Sequence, residues 1–262
     1  EAEETPTAKD LEDVWVSEDG AAFAAGWYVL MYRDGGAWQV FEGAPQHDYR
    51  ALWGSSPNDV WAMGAYGAAA HFDGSVWTEV SLPTEKTIHG IWGLSSDFVF
   101  AVGEDGMVLF YDGSSWTPFS DIPTGRTLRS VWGVMTDTGP SVTAVGAGGI
   151  IIQFDGSEWT TRSFGVTVSE LCGVWGVDSP ESAVAVGTRS LLVGPFLQIP
   201  ELKSPEVGAQ GAEELEHVLE VASGVMPHFR FVFIMLENGF PLWSLVLDGD
   251  VLQYNLPDLI SL

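Results

Sequence analysis

The stretch Arg50-Ala51-Leu52-Trp53-Gly54-Ser55-Ser56-Pro57-Asn58-Asp59-Val60-Trp61-Ala62-Met63-Gly64 decides how this chain is read, because its parts return throughout the sequence. Trp53 belongs to a ladder of Trp15, Trp53, Trp92, Trp132 and Trp175, spaced by 38, 39, 40 and 43 residues. Gly64 belongs to a second ladder, Gly26, Gly64, Gly103, Gly146 and Gly187, which follow their tryptophans by 11, 11, 11, 14 and 12 residues. Downstream, Asp34-Gly35, Asp73-Gly74, Asp112-Gly113 and Asp155-Gly156 form a third ladder, and Trp38, Trp77, Trp116 and Trp159 a fourth. These last two stop after the fourth unit.

Within one unit, apolar runs alternate with turn-forming clusters, which predicts four short strands. In the second unit these are Arg50 to Gly54, Val60 to Gly64, Ala68 to Phe72 and Val76 to Val80. Pro57 and Asn58 favour the first reversal, and Asp73-Gly74 supplies the positive-φ positions of the last hairpin. The strands are apolar along their whole length, as in a sheet buried on both faces. A period of roughly 40 residues holding four such strands is the signature of a propeller blade. The expected fold is therefore all-β: a five-bladed β-propeller over residues 11–196, with Trp15, Trp53, Trp92, Trp132 and Trp175 filling the wedges between blades.

The fifth unit keeps Gly173-Val174-Trp175-Gly176, Ala183 to Gly187 and Ser190 to Gly194, but lacks a fourth strand. Residues 1–10 are read as an acidic tether or as a strand that closes the ring on the fifth blade, removing exposed sheet edges. After Pro195 the pattern changes. Residues 197–262 hold longer apolar segments, Leu215 to Val221, Phe229 to Met235, Leu242 to Leu247 and Val251 to Leu256, which suggest a small β-sandwich; a helix over Glu213 to Ala222 is the alternative.

The repeat Ala51 to Gly64, continued by His71-Phe72-Asp73-Gly74-Ser75-Val76-Trp77, resembles the Trp-Gly propeller repeats of secreted proteins and surface lipoproteins of myxobacteria and related bacteria. That resemblance implies a propeller fold and an exported location, and no reaction. The C-terminal segment, with its proline-rich entry, Phe229 to Met235, Trp243 and Tyr254 to Leu259, resembles the early strands of a fibronectin type III or immunoglobulin-like module. A full sandwich of that kind needs about 100 residues.

Thirty-six acidic against ten basic residues give a formal charge of −26, with lysine only at Lys9, Lys86 and Lys203. Nucleic acid and anionic membranes are poor partners for such a surface. The acidity is read as a solvated shell suited to saline surroundings, or else as a surface recruiting divalent cations or a basic partner. Cys172, the single cysteine, excludes an internal disulfide and is expected to be a small buried hydrophobe. No stretch reaches the roughly 20 apolar residues of a membrane helix. A start at Glu1 rather than Met fits a processed, exported chain.

His47, His71, His89, His217 and His228 show no paired metal-ligand spacing, and no serine lies in a nucleophile elbow. Catalytic, metal and cofactor sites are accordingly expected to be absent. One pattern stands out. Three residues before each ladder tryptophan come Glu12, Arg50, His89, Arg129 and Cys172, so three basic groups share one station at the start of the innermost strands. Arg50, His89 and Arg129 would converge near one mouth of the central channel, either as an anion or partner site or as members of ion pairs within and between blades. The expected function is a non-catalytic, exported interaction or scaffold module for a protein partner at the cell surface or in an extracellular assembly. The alternative is a lectin or glycosidase that stacks sugars on Trp27, Trp38 or other loop aromatics.

Overall fold

The computed structural model describes residues 5–162, 170–188 and 190–193, together with the strands 229–235 and 241–247. Five antiparallel sheets follow one another along the chain, four of them four-stranded. Blade 1 holds β1 (Leu11–Val16), β2 (Ala22–Gly26), β3 (Val29–Arg33) and β4 (Gln39–Val40). Blade 2 holds β5 (Tyr49–Ser56), β6 (Asp59–Gly64), β7 (Ala69–Phe72) and β8 (Trp77–Glu79). Blade 3 holds β9 (Ile88–Ser95), β10 (Phe98–Gly103), β11 (Val108–Tyr111) and β12 (Trp116–Pro118). Blade 4 holds β13 (Leu128–Thr136), β14 (Gly139–Gly146), β15 (Ile151–Phe154) and β16 (Trp159–Thr161). In blade 5 three strands are described: β17 (Leu171–Trp175), β18 (Val184–Gly187) and β19 (Ser190–Val193). This is the β-propeller arrangement, with strands in sequence order across each sheet.

Both faces of the middle blades are buried, as the unbroken apolar strands require. Along β10, Val99 and Ala101 pack with Trp53, Trp61 and Met63 of blade 2. The intervening Phe100 and Val102 pack with Leu128, Val142 and Ile152 of blade 4. Alternation along a strand thus selects the neighbouring blade, with neither face left to solvent. Asp-Gly hairpins close the far edge: the Oδ1 atoms of Asp73, Asp112 and Asp155 each accept two backbone N–H groups, and Gly74, Gly113 and Gly156 have φ of 90°, 88° and 98°.

The Trp-Gly pair is an inter-blade lock. A Cβ on Gly93 would lie 2.5 Å from the Trp53 indole, one on Gly176 2.6 Å from Trp132, and one on Gly54 3.0 Å from Trp15. The indoles of Trp15, Trp53 and Trp132 therefore rest on the glycine that follows the next blade's tryptophan, whereas the place beside Gly133 is taken by Ser141 and Val142 rather than by Trp92. Hydrogen bonds lace the same strands, since Asp13 Oδ2 accepts from Leu52 N at 2.7 Å and Ser130 Oγ from Val174 N at 3.1 Å.

The two ends of the series depart from the regular pattern. Trp53 and Trp132 are buried and Trp15 and Trp92 pack against the cores, but Trp175 is 66% exposed, because no blade with a receiving glycine stands on it among the described residues. Residues 5–10 lie outside the strands, and the Trp27 N–H donates to the Asp10 carbonyl and Lys9 Nζ to the Tyr28 carbonyl, so this part of the segment contacts blade 1. The innermost strands pack in the succession β1, β5, β9, β13, β17, and no comparable packing joins β17 back to β1. Blade 1 carries Val16, which is 59% exposed, where the later blades carry glycine.

Residues 200–262 form a separate unit. Its described part is the antiparallel pair β20 (Phe229–Met235) and β21 (Pro241–Leu247), which realises two of the four expected strands. The segments Leu215 to Val221 and Val251 to Leu256, the alternative helix and the rest of the immunoglobulin-like reading lie outside the described residues.

Two substitutions separate the lock from ordinary surface aromatics. Trp53→Ala is expected to cost about 3–5 kcal/mol in urea denaturation, whereas Trp175→Ala should stay within about 0.5 kcal/mol.

Candidate functional site: the loop edge carrying the basic station

The glycine ladder builds this edge. Gly26, Gly64, Gly103, Gly146 and Gly187 end the second strands and pair with Leu11, Tyr49, Ile88, Leu128 and Leu171. A Cβ at any of them would overlap the carbonyl oxygen of the residue just before the first strand: Asp10, Asp48, Thr87, Thr127 or Glu170. That carbonyl also accepts the N–H of the residue after the glycine, at 2.9 to 3.1 Å in all five blades. Immediately beyond this contact the ladder slips by one residue in every blade, between Leu11 and Asp13, Tyr49 and Ala51, Ile88 and Gly90, Leu128 and Ser130, and Leu171 and Gly173.

The skipped residues are Glu12, Arg50, His89, Arg129 and Cys172, the station picked out by sequence spacing. Each is the extra residue of a β-bulge, a device that re-aims a side chain out of the regular alternation. The preceding Tyr49, Ile88, Leu128 and Leu171 are wholly buried, while Glu12, Arg50 and Cys172 are exposed and His89 and Arg129 half-buried. Cys172 is thus not the buried hydrophobe expected; as a bulged residue it stands outside the core.

The basic groups come together in part. Arg129 Nη1 lies 3.3 Å from His89 Nε2, and Arg129 Nε binds Glu170 Oε1 at 2.7 Å across the junction with blade 5. Arg50 Nη2 binds Asp48 Oδ2 at 3.0 Å within its own segment. Burial first, then the Arg129 and Arg50 guanidinium groups, hold the His89 imidazole below its ordinary pKa against the opposing pull of Glu104 and Glu170. A guanidinium only donates, so His89 Nε2 is the acceptor and the ring is neutral in this arrangement. The ion pairs expected within and between blades are present, and an incoming anion would compete with Asp48 and Glu170 for the arginines.

Other cations share the edge. Arg126 Nη1 donates to the Gly148 carbonyl at 2.8 Å, Lys86 Nζ lies 3.4 Å from Asp105, and Lys9 reaches Tyr28. Arg162 follows β16, where its N–H meets Ile151 at the start of β15. Of the seven Lys and Arg side chains described, only Arg33, at the far end of β3, lies elsewhere. Sequence reasoning found two of these six, Arg50 and Arg129, together with His89. It missed Lys9, Lys86, Arg126 and Arg162 as members of one edge, although Lys86 and Arg126 stand three residues before His89 and Arg129.

Among the described residues, no group of His, Cys, Asp and Glu is arranged to hold a metal ion. His47 and His71 each face one carboxylate, Glu79 at 3.1 Å and Asp59 at 2.6 Å, and His217 and His228 lie outside the described residues. Among the described residues, no helix is long and apolar enough to cross a membrane.

Because His89 titrates below its unfolded value, it binds fewer protons when folded, so its contribution to stability is complete above the unfolded pKa of about 6.5. That contribution is lost as pH falls from there toward the folded pKa. Replacing Arg129 with Met is expected to raise the His89 midpoint in an NMR titration and to narrow this window, and Arg50→Met should act in the same direction more weakly.

No family model and no curated protein sequence matches the chain. Solved structures do. YCF48 bound to D1 peptide is similar with a TM-score of 0.53 and 18% identity, over 70% of this chain and 62% of that one. The WD40 β-propeller domain of Doa1 gives 0.57 and 11% identity, over 71% and 66%. YCF48 from Cyanidioschyzon merolae gives 0.51 and 15% identity, over 70% and 66%. This chain therefore spans just under two thirds of the length of these three structures, and what the likeness establishes is the β-propeller fold.

Proposed function

We propose that the chain is a non-catalytic protein-interaction module that engages its partner with the edge carrying the bulged residues. The observation that carries this reading is the repeated bulge. In blade after blade it places at one edge a side chain that contributes nothing to the cores, and it does so with the same glycine and carbonyl each time. A surface offered repeatedly by a rigid scaffold suits recognition. The similar structure of YCF48 holds a D1 peptide, which supports the propeller as a peptide-binding platform without identifying a partner here.

Arg50, His89 and Arg129 form the proposed anion subsite, in which a partner carboxylate takes the place of Glu170 on Arg129. The acidic, lysine-poor composition supports an exported protein working at a cell surface or in an extracellular assembly, as a secreted chain or as a lipoprotein. Sugar binding finds less support. Of the eleven tryptophans whose surroundings are described, only Trp27 and Trp175 are exposed, and Trp38 is half-buried with Arg33 over its ring at 5.3 Å.

Acidic peptides immobilised on an array and probed with the full chain test the subsite. Binding should weaken by about tenfold or more in Arg50→Met/Arg129→Met, with the melting temperature lowered only modestly. Undiminished binding by this variant would assign the arginines to their ion pairs alone. Cell fractionation in the source organism tests the location, a cytosolic pool contradicting export.

A further inference from the structure

Three aromatic rings stand in solvent at the same edge: Trp27 is 56%, Tyr28 46% and Tyr66 87% exposed. Trp27 and Tyr28 form the turn between β2 and β3, and Tyr66 lies in the turn between β6 and β7. Asp48 gathers them. Its backbone bridges to Trp27, its carbonyl accepts the Ala65 N–H at 2.9 Å, and its carboxylate holds Arg50 at 3.0 Å. The Tyr66 turn continues to Lys86, whose carbonyl accepts the Gly67 N–H at 3.0 Å.

The backbone at these tyrosines is strained. Tyr28 and Tyr66 have φ of 56° and 55°, in the left-handed region that bulky side chains avoid. Both occupy the second position after the ladder glycine, where blade 3 has Asp105, paired with Lys86, and blade 4 has Gly148 with φ of 62°. Glycine serves this turn without strain, and the Tyr66 ring returns little burial to offset it, whereas Tyr28 is partly covered beside Trp27, with ring centroids 5.9 Å apart. Burial within the fold leaves Tyr66 unaccounted for and Tyr28 only in part explained.

We infer that Trp27, Tyr28 and Tyr66 are the aromatic half of a peptide-docking surface whose charged half is Arg50 and Lys86. Its occupant is an extended segment of a partner protein in which a carboxylate neighbours an apolar or aromatic side chain. The inference rests on the interaction reading above and names the partner's chemistry. Charge complementarity argues for it: within a chain of net charge −26, six of the seven described cations lie at this edge. A basic segment would be drawn instead to the opposite edge, where Asp73, Asp112 and Asp155 cap the hairpins. Exposed aromatics beside arginine are also the composition that interface centres favour.

The test uses the full chain and short immobilised peptides with a central Asp-Phe or Glu-Leu pair. Matched peptides carry Asn or Gln for the acid, or Ala for the apolar residue, and a glycan array is probed in parallel. The wild type should prefer the acidic-apolar peptides about tenfold over either control. Tyr28→Gly/Tyr66→Gly should lose that preference while its melting temperature holds or rises, since glycine relieves the left-handed strain; Tyr28→Phe/Tyr66→Phe should keep it. Absence of preference, retention of it by the glycine variant, or a lowered melting temperature with binding intact would overturn the inference. So would glycan binding that the glycine variant abolishes. Loss of peptide binding in Arg129→Met but not in the glycine variant would leave the anion subsite standing and remove this surface, and the reverse result would remove the subsite and keep the surface.

Discussion

One contact recurs in every blade and organises the rest: a backbone carbonyl lying directly on the α-carbon of a glycine. Asp10, Asp48, Thr87, Thr127 and Glu170 supply the carbonyl, and Gly26, Gly64, Gly103, Gly146 and Gly187 the bare α-carbon. At Gly64, Gly103 and Gly146 the backbone is extended, with φ of −172°, −169° and −178°, so the requirement is space and not a left-handed conformation. The same carbonyl accepts the next N–H, which fixes the turn into the third strand. Drawing the chain this close displaces the first strand by one residue against the second. The displaced residue becomes the bulge, and its side chain leaves the core.

The second constraint acts between blades. An indole needs a flat, side-chain-free seat, and for Trp15, Trp53 and Trp132 the glycine after the next blade's tryptophan provides one, so the Trp-Gly pair can both give and receive. The terminal blades show each half alone. Trp175 gives with nothing described to receive it, and Val16 stands where a receiver would need glycine. Exposed Val14, Val16, Val177 and Val186 mark the same two ends. Val186 is 47% exposed although its counterparts Met63, Val102 and Val145 are wholly buried, because their burial comes from the blade that follows.

Much of this was legible in the sequence. The four ladders gave the blades and their strands to within a residue or two, since side-chain volume and turn chemistry are local properties that repeat. The station of Arg50, His89 and Arg129 was legible as spacing. Its bulged geometry was not, because a bulge is a relation between two strands, and the glycine that causes it lies 14 residues beyond Arg50. Cys172 was misplaced for that reason, its apolar neighbours Leu171 and Val174 suggesting burial. The exposure of Trp175 was not legible, because the count of blades says nothing of whether the last indole has a seat. The strained tyrosines were invisible, since nothing in a Gly-Ala-Tyr-Gly sequence announces a left-handed tyrosine.

Thiol labelling under native conditions tests the central claim directly, because the chain's only cysteine occupies the bulge of blade 5. Cys172 should react with a soluble disulfide reagent at close to the rate of the unfolded chain. In a Cys172→Ser background, Arg50→Cys should react as freely, whereas Leu52→Cys, two residues along the same strand, should react only upon unfolding. Protection of Cys172 and of Arg50→Cys, with reactivity gained only on denaturation, would mean that the innermost strands run in regular register and that the glycines do not turn these side chains out.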